Sequence, residues 1–187
     1  MVDDLNRSKS TEMIVRNKRA KVCFPPPVLG LNRVDSLNIL GVTISCHLTM
    51  HEHVTNLVIS SNQALYALKI IKAHGISHSG LFNICHATLI SRLLYASSAW
   101  WGFATQTDIG HLQSVLSKAT RWGVWGDQAD TLSDMFRSAD DKLFHKVLNN
   151  PAHVLFPLLP RKKELIYNLR PRAHQCSLHV SPTAAAK

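Results

Sequence analysis

The feature that most constrains this chain is a change of hydrophobic period near residue 48. Upstream, apolar residues come in short, β-branched runs broken by prolines. Downstream, they recur at three- and four-residue steps, the pattern of helices with one buried face. The chain therefore predicts an α+β fold, mainly α, with a short N-terminal β ribbon followed by a bundle of about four to five helices.

The upstream part contains two strand-like runs. Thr11-Glu12-Met13-Ile14-Val15 ends in the basic stretch Arg16-Asn17-Lys18-Arg19, and Leu37 to Ile44 alternates in part, with Gly41 marking a bend or a close backbone approach. Between them, Pro25-Pro26-Pro27 cannot join a sheet interior and predicts a stiff, extended connector.

The first helix is expected to start at a Thr49 cap with Glu52 three residues on, bury Val54, Leu57, Val58, Leu65, Leu68 and Ile71, and stop at Gly75. A second, over about 79–98, is apolar nearly all round and predicts the most buried element. A third is capped by Thr107 or Asp108 and runs to about Trp122, with Ile109, Leu112, Val115, Leu116 and Ala119 inward. Thr131 opens a fourth, with a break expected near Ser138 and an end at Asn149-Asn150-Pro151. Residues 151–187 read as a basic, partly ordered segment.

The chain has 187 residues and a net charge of +9. The excess lies at the two ends: residues 1–33 carry a net +4 and residues 161–187 a net +5, whereas 34–160 is neutral. Such an excess points to polyanions as partners. Four irregularly spaced cysteines make neither a disulfide scaffold nor a zinc ribbon, and the N-terminus lacks a secretory pattern, so an intracellular setting is expected. Residues 81–101 are long enough to span a bilayer, but Arg92 at their centre would cost roughly 2.5–3.5 kcal/mol there. No membrane association is expected.

No phosphate-cradling glycine loop, zinc-protease helix or nucleophile elbow occurs. His51 and His53, two apart, do not share a helix face, and His174, Cys176 and His179 lack an evident fourth ligand, so no metal site is expected. Asp140-Asp141 reads as a solvated helix face. Trp100, Trp101, Trp122 and Trp125 read as core rather than as base-stacking platforms.

Several segments, in order, carry a resemblance. Leu5-Asn6-Arg7-Ser8-Lys9-Ser10 with Glu12-Met13-Ile14-Val15 resembles the L-N-x-x-K-T…E-x-I-V segment of reverse transcriptases from non-long-terminal-repeat (LINE-type, Jockey-like) retrotransposons. Leu40-Gly41-Val42-Thr43-Ile44, then Leu48 and His53-Val54, resembles their Y-L-G-V-x-I…L-x-x-x-x-H-I segment. Leu65-Tyr66-Ala67-Leu68 and Leu93 to Gly102 resemble the two thumb helices. Ala139 to Phe144, Asn150, His153, Leu158-Leu159-Pro160 and Tyr167-Asn168-Leu169-Arg170 resemble the stretch that closes the polymerase region.

The resemblance implies an end-of-palm and primer-grip ribbon over 1–48, a thumb-like bundle over 49–150 and a basic segment over 151–187. It places the fingers and the aspartate-bearing palm strands upstream, so the missing fingers/palm half is an implied partner. The parent reaction is RNA-directed DNA synthesis by two-metal nucleotidyl transfer with Mg2+. This chain alone is expected to be inactive and to hold no cofactor. Lys9 matches the palm lysine thought to assist pyrophosphate departure. Lys9, Arg16, Lys18, Arg19, Gly41, Lys69, Lys72, Arg92, Lys118 and Arg121 are the residues expected to meet nucleic acid, the bundle's cations along the duplex backbone. The rival expectation is a transposon-derived, non-enzymatic module that binds nucleic acid or protein, or a relic without function.

Overall fold

A computed structural model of the chain describes residues 6, 9–17, 24–126 and 131–160. Lys18, Arg19, the His174–Cys176–His179 group and most of the basic C-terminal segment lie outside the described residues. The chain is mainly helical, with two small β pairs at its N-terminal end. It divides into two compact units, Met1–Asp140 and Asp141–Lys187.

The strand expected over Thr11–Val15 shrinks to β1 (Thr11–Glu12), which pairs in parallel with β2 (Asn32–Arg33). Glu12 faces Arg33 in that register and the two form an ion pair at 2.6 Å. The run Leu37–Ile44 is not one strand but a hairpin. β3 (Ser36–Ile39) and β4 (Val42–Ser45) are antiparallel, with Ile39 opposite Val42, leaving Leu40 and Gly41 as the turn. Both turn residues have positive φ, 49° and 86°, the combination whose twist suits a two-residue hairpin. Glycine adopts it freely, but a leucine there carries about 1–2 kcal/mol of strain. The Asn38 Oδ1 holds the turn by accepting from the Gly41 N–H at 3.0 Å.

α1 (His51–Ala73) follows. Thr49 is not its cap: Met50 takes that position, and the Thr49 hydroxyl lies 2.7 Å from the Ser45 Oγ, closing the end of the hairpin onto the helix start. Val54, Leu57, Leu65 and Leu68 are buried at the expected steps, and Gly75 (φ 81°) ends the helix.

The helix expected over 79–98 comes in pieces: α2 (His78–Cys85), a π turn over His86–Ile90 and α3 (Ser91–Leu94). Ala96, at φ 48°, then starts α4 (Ser97–Trp100) in a new direction. Only one face is buried, through Leu81, Cys85, Leu89 and Leu93, each four residues from the last. Four-residue steps overshoot a 3.6-residue turn by about 40° each, and the wider π turn absorbs the drift. The other face, with Ala87, Thr88, Ser91 and Arg92, is exposed.

α5 (Gln106–Arg121) is capped by Thr105 rather than by Thr107 or Asp108; Asp108 instead completes a capping box with Thr105. α6 (Leu132–Leu148) is capped by Thr131, whose Oγ1 accepts from the Asp134 N–H, and runs unbroken through Ser138. α1, α2 and α5 bury Val54, Leu65, Leu81, Leu112 and Val115 with Trp100 and Phe136 in one core, which also takes in Val42 from the hairpin.

Candidate nucleic-acid interface

The hairpin, α1 and the α2–π–α3 segment border an open cleft of about 770 Å³. Asn38, Gly41 and Thr43 form one wall, His53, Asn56, Leu57 and Ser60 the base, and Ala87, Thr88, Ser91, Arg92 and Tyr95 the other wall. The α1 contribution arises because residues 53, 56, 57 and 60 recur at helical steps on one face. Among the described residues, no carboxylate lines the cleft and its one full positive charge is Arg92.

The mouth is held by a clasp. Tyr95 donates its hydroxyl to the Leu40 carbonyl at 3.0 Å, across 55 residues of sequence. A Cβ at Gly41 would stand 3.5 Å from Tyr95 Cε1, an ordinary contact, so what glycine supplies here is the φ of 86° that the turn needs. The clasp is bounded by two residues in the left-handed region, Leu40 and Ala96, and Leu40 is 86% exposed at the tip. On the other wall, Arg92 Nη1 donates to the Ser60 carbonyl at 2.7 Å, which fixes the guanidinium at the rim.

His53 is buried at the base. Its Nδ1 accepts from the Thr43 N–H at 3.4 Å, and its ring meets Trp100 edge-on at 5.1 Å. Burial holds its pKa below the ordinary histidine value. The imidazole is therefore neutral, with its proton on Nε2. Protonation favours the unfolded chain, so this residue's effect on stability is neutral above about pH 6.5 and destabilising as pH falls from there through the lowered folded value. Melting curves at pH 7.5 and 5.5 are expected to show a drop in midpoint that is smaller in His53→Gln.

The cations expected along the duplex do not gather at the cleft. Only Arg92 lines it. Lys69 sits over the Trp122 ring at 4.9 Å, Lys72 Nζ donates to the Trp122 carbonyl at 2.7 Å, and Lys118 donates to Asn62 Oδ1 at 3.1 Å. Asn62, Lys69 and Lys72 lie about 120–200° around α1 from Ser60, at roughly 100° per residue. Trp122 is the C-cap of α5, so Lys72 and Lys69 neutralise the negative end of that helix. Arg121, the last residue of α5, is exposed beside it. Arg16 is engaged by Asp35 at 3.1 Å and by the Phe24 ring at 5.0 Å. Lys9 is exposed before β1.

Sequence reasoning missed His53, Asn56, Ser60 and Tyr95 as site residues. Their signal was the polar stripe of α1, and Tyr95 between the end of α3 and left-handed Ala96. The aromatic expectations divide: Trp100 is fully buried and Trp125 stacks on Phe82 at 4.9 Å, whereas Trp122 is half-buried beneath Lys69. Asp141 is exposed as expected, whereas Asp140 is half-buried and accepts from the Trp101 Nε1 at 2.7 Å. Burial pushes the Cys85 thiol up to about 11, which leaves it an inert core side chain.

Compared with models of known families, with curated proteins and with solved structures, the chain finds no match. Among the described residues no group of three or more His, Cys, Asp or Glu is placed to hold a metal ion. Among the same residues, no helix is long and apolar enough to cross a membrane.

Proposed function

We propose that this chain is the end-of-palm and thumb part of a LINE-type reverse transcriptase, and that the hairpin tip and cleft rim meet the sugar-phosphate backbone of a template–primer duplex. The observation that carries this reading is the clasp. Two of the segments that resemble the family, Leu40-Gly41-Val42 and Leu93-Leu94-Tyr95-Ala96, are far apart in sequence and joined by the Tyr95–Leu40 hydrogen bond. A hairpin held against a helical wall offers a rigid edge on which a strand end can be registered, while Arg92 at the rim supplies charge without base preference.

The reading is supported further by the lining, in which no acid opposes a phosphate. The parent chemistry needs carboxylates held by the fingers/palm half, so the isolated chain is expected to bind and not to extend a primer.

The test is fluorescence anisotropy of a labelled RNA–DNA duplex titrated with the chain at two salt concentrations. Few phosphates are neutralised, so affinity should fall on the order of tenfold between about 50 and 200 mM salt. An affinity that does not change with salt, or no binding at the lower concentration, would overturn the reading.

A further inference from the structure

We propose that the cleft is a site for one unpaired nucleotide, a nucleoside monophosphate unit at or near a strand end, rather than a groove for duplex backbone. The inference deepens the functional reading above and rests on it for the polymer to which that nucleotide belongs.

Size is the first ground. A cleft of about 770 Å³ lies within the range of small-molecule sites, about 300–1,000 Å³. A duplex presents its phosphates as ridges suited to a rim, whereas the lining also includes His53, only 7% exposed. Unpaired bases can be splayed into such sites and read on their edges.

The chemistry of the walls is the second ground. The hydroxyls of α1 and the facing wall have already committed their protons. Ser60 donates to the Leu57 carbonyl, Thr88 to that of Ile84 and Ser91 to that of Ala87, so into the cleft they offer lone pairs. Asn56 is exposed and its amide has no hydrogen-bond partner among the described residues, leaving both donor and acceptor free. This mixture of neutral acceptors and an uncommitted amide suits a base edge or a ribose hydroxyl. Leu57 and Ala87 supply apolar surface for a ring face.

One charge completes the match. Arg92 uses one N–H on Ser60 and keeps the rest of its fork for an anion at the rim. With no carboxylate in the lining, a single phosphate is admitted there and a cationic ligand has no counter-charge.

The experiment compares a blunt RNA–DNA duplex, the same duplex carrying one unpaired 3′ nucleotide, and free AMP and UMP, all titrated against the full chain. The expected result is about tenfold tighter binding of the overhang duplex, the effect of one accommodated base at about 1.4 kcal/mol per decade, and saturable binding of at least one mononucleotide at millimolar concentration. Arg92→Gln and Asn56→Leu should each erase the difference between the two duplexes. Each variant is judged by the ratio of its own two affinities, so an unfolded fraction cancels.

Equal binding of blunt and overhang duplexes, with no saturable mononucleotide binding, would overturn this proposal and leave the duplex reading standing. Saturable mononucleotide binding without salt-dependent duplex binding would support this site and remove the duplex reading. Binding of no probe would remove both.

Discussion

Trp100→Ala is expected to lower the unfolding free energy by about 3–5 kcal/mol, against a total of about 5–15 kcal/mol for a domain. The indole is 0% exposed in the core where α4, α6 and the base of the cleft meet. It meets Phe136 edge-on at 5.4 Å and His53 at 5.1 Å, contacts that add to the area it buries. Its Nε1 donates to the Tyr95 carbonyl at 3.0 Å, so alanine also leaves that carbonyl with one partner fewer. Because Trp100 supports both His53 and Tyr95, the cleft should be lost with the fold. Trp100→Phe should retain most of the packing and lose mainly the hydrogen bond, about 1 kcal/mol. Urea denaturation followed by circular dichroism reads both. A loss below about 1 kcal/mol for the alanine variant would contradict the packing described.

Asp108→Ala is the second large effect, expected at about 2–3 kcal/mol. The carboxylate is 1% exposed yet fully engaged. Oδ1 lies 2.8 Å from His51 Nδ1, and Oδ2 accepts from the Thr105 N–H at 3.0 Å and the Thr105 hydroxyl at 2.7 Å. It thus links the start of α1 to the start of α5. Breaking a buried pair costs about 3–5 kcal/mol when a charge is stranded, but the exposed His51 is solvated once released, which lowers the figure. Burial by itself would raise this carboxyl's pKa; the hydrogen bonds from His51 and Thr105 outweigh it and hold the value below the usual 3.8. Its stabilising contribution is therefore present above about pH 3.8 and is lost as pH falls through the lower folded value. Asp108→Ala should remove that acid limb of a stability profile and leave the limb of His53, which begins near pH 6.5.

The helical part of the fold was legible because α1 and α5 write a 3.6-residue period in Val54, Leu57, Leu65, Leu68 and in Leu112, Val115, Leu116, Ala119. Local chemistry was harder. The hairpin was missed because its turn is Leu-Gly, where an Asn-Gly pair would have announced it. The α5 cap was displaced because Thr105, Thr107 and Asp108 all suit the role, and only the fold decides which hydroxyl reaches the third N–H. The all-apolar reading of the second helix failed because composition ignores drift, which the π turn over His86–Ile90 corrects.

The surroundings of the basic residues were the least legible, for a physical reason. A positive charge in a sequence says nothing of what its side chain reaches. Lys72 and Lys118 meet the Trp122 carbonyl and Asn62, and Lys69 the Trp122 ring, while neutral residues line the cleft. Gly41 was read as a bend or a close backbone approach, and it is the bend: it sits in the hairpin turn, where an added Cβ would meet Tyr95 only at ordinary contact distance.

The most direct test of the central claim is amide hydrogen exchange of the chain with and without a primed RNA–DNA duplex at low salt. Slowed exchange is expected over residues 38–43 and 86–95, the hairpin tip and the facing wall, with little change around Lys69, Lys72 and Trp122. Slowed exchange confined to the end of α1 and α5, or none in a duplex-saturated sample, would contradict it.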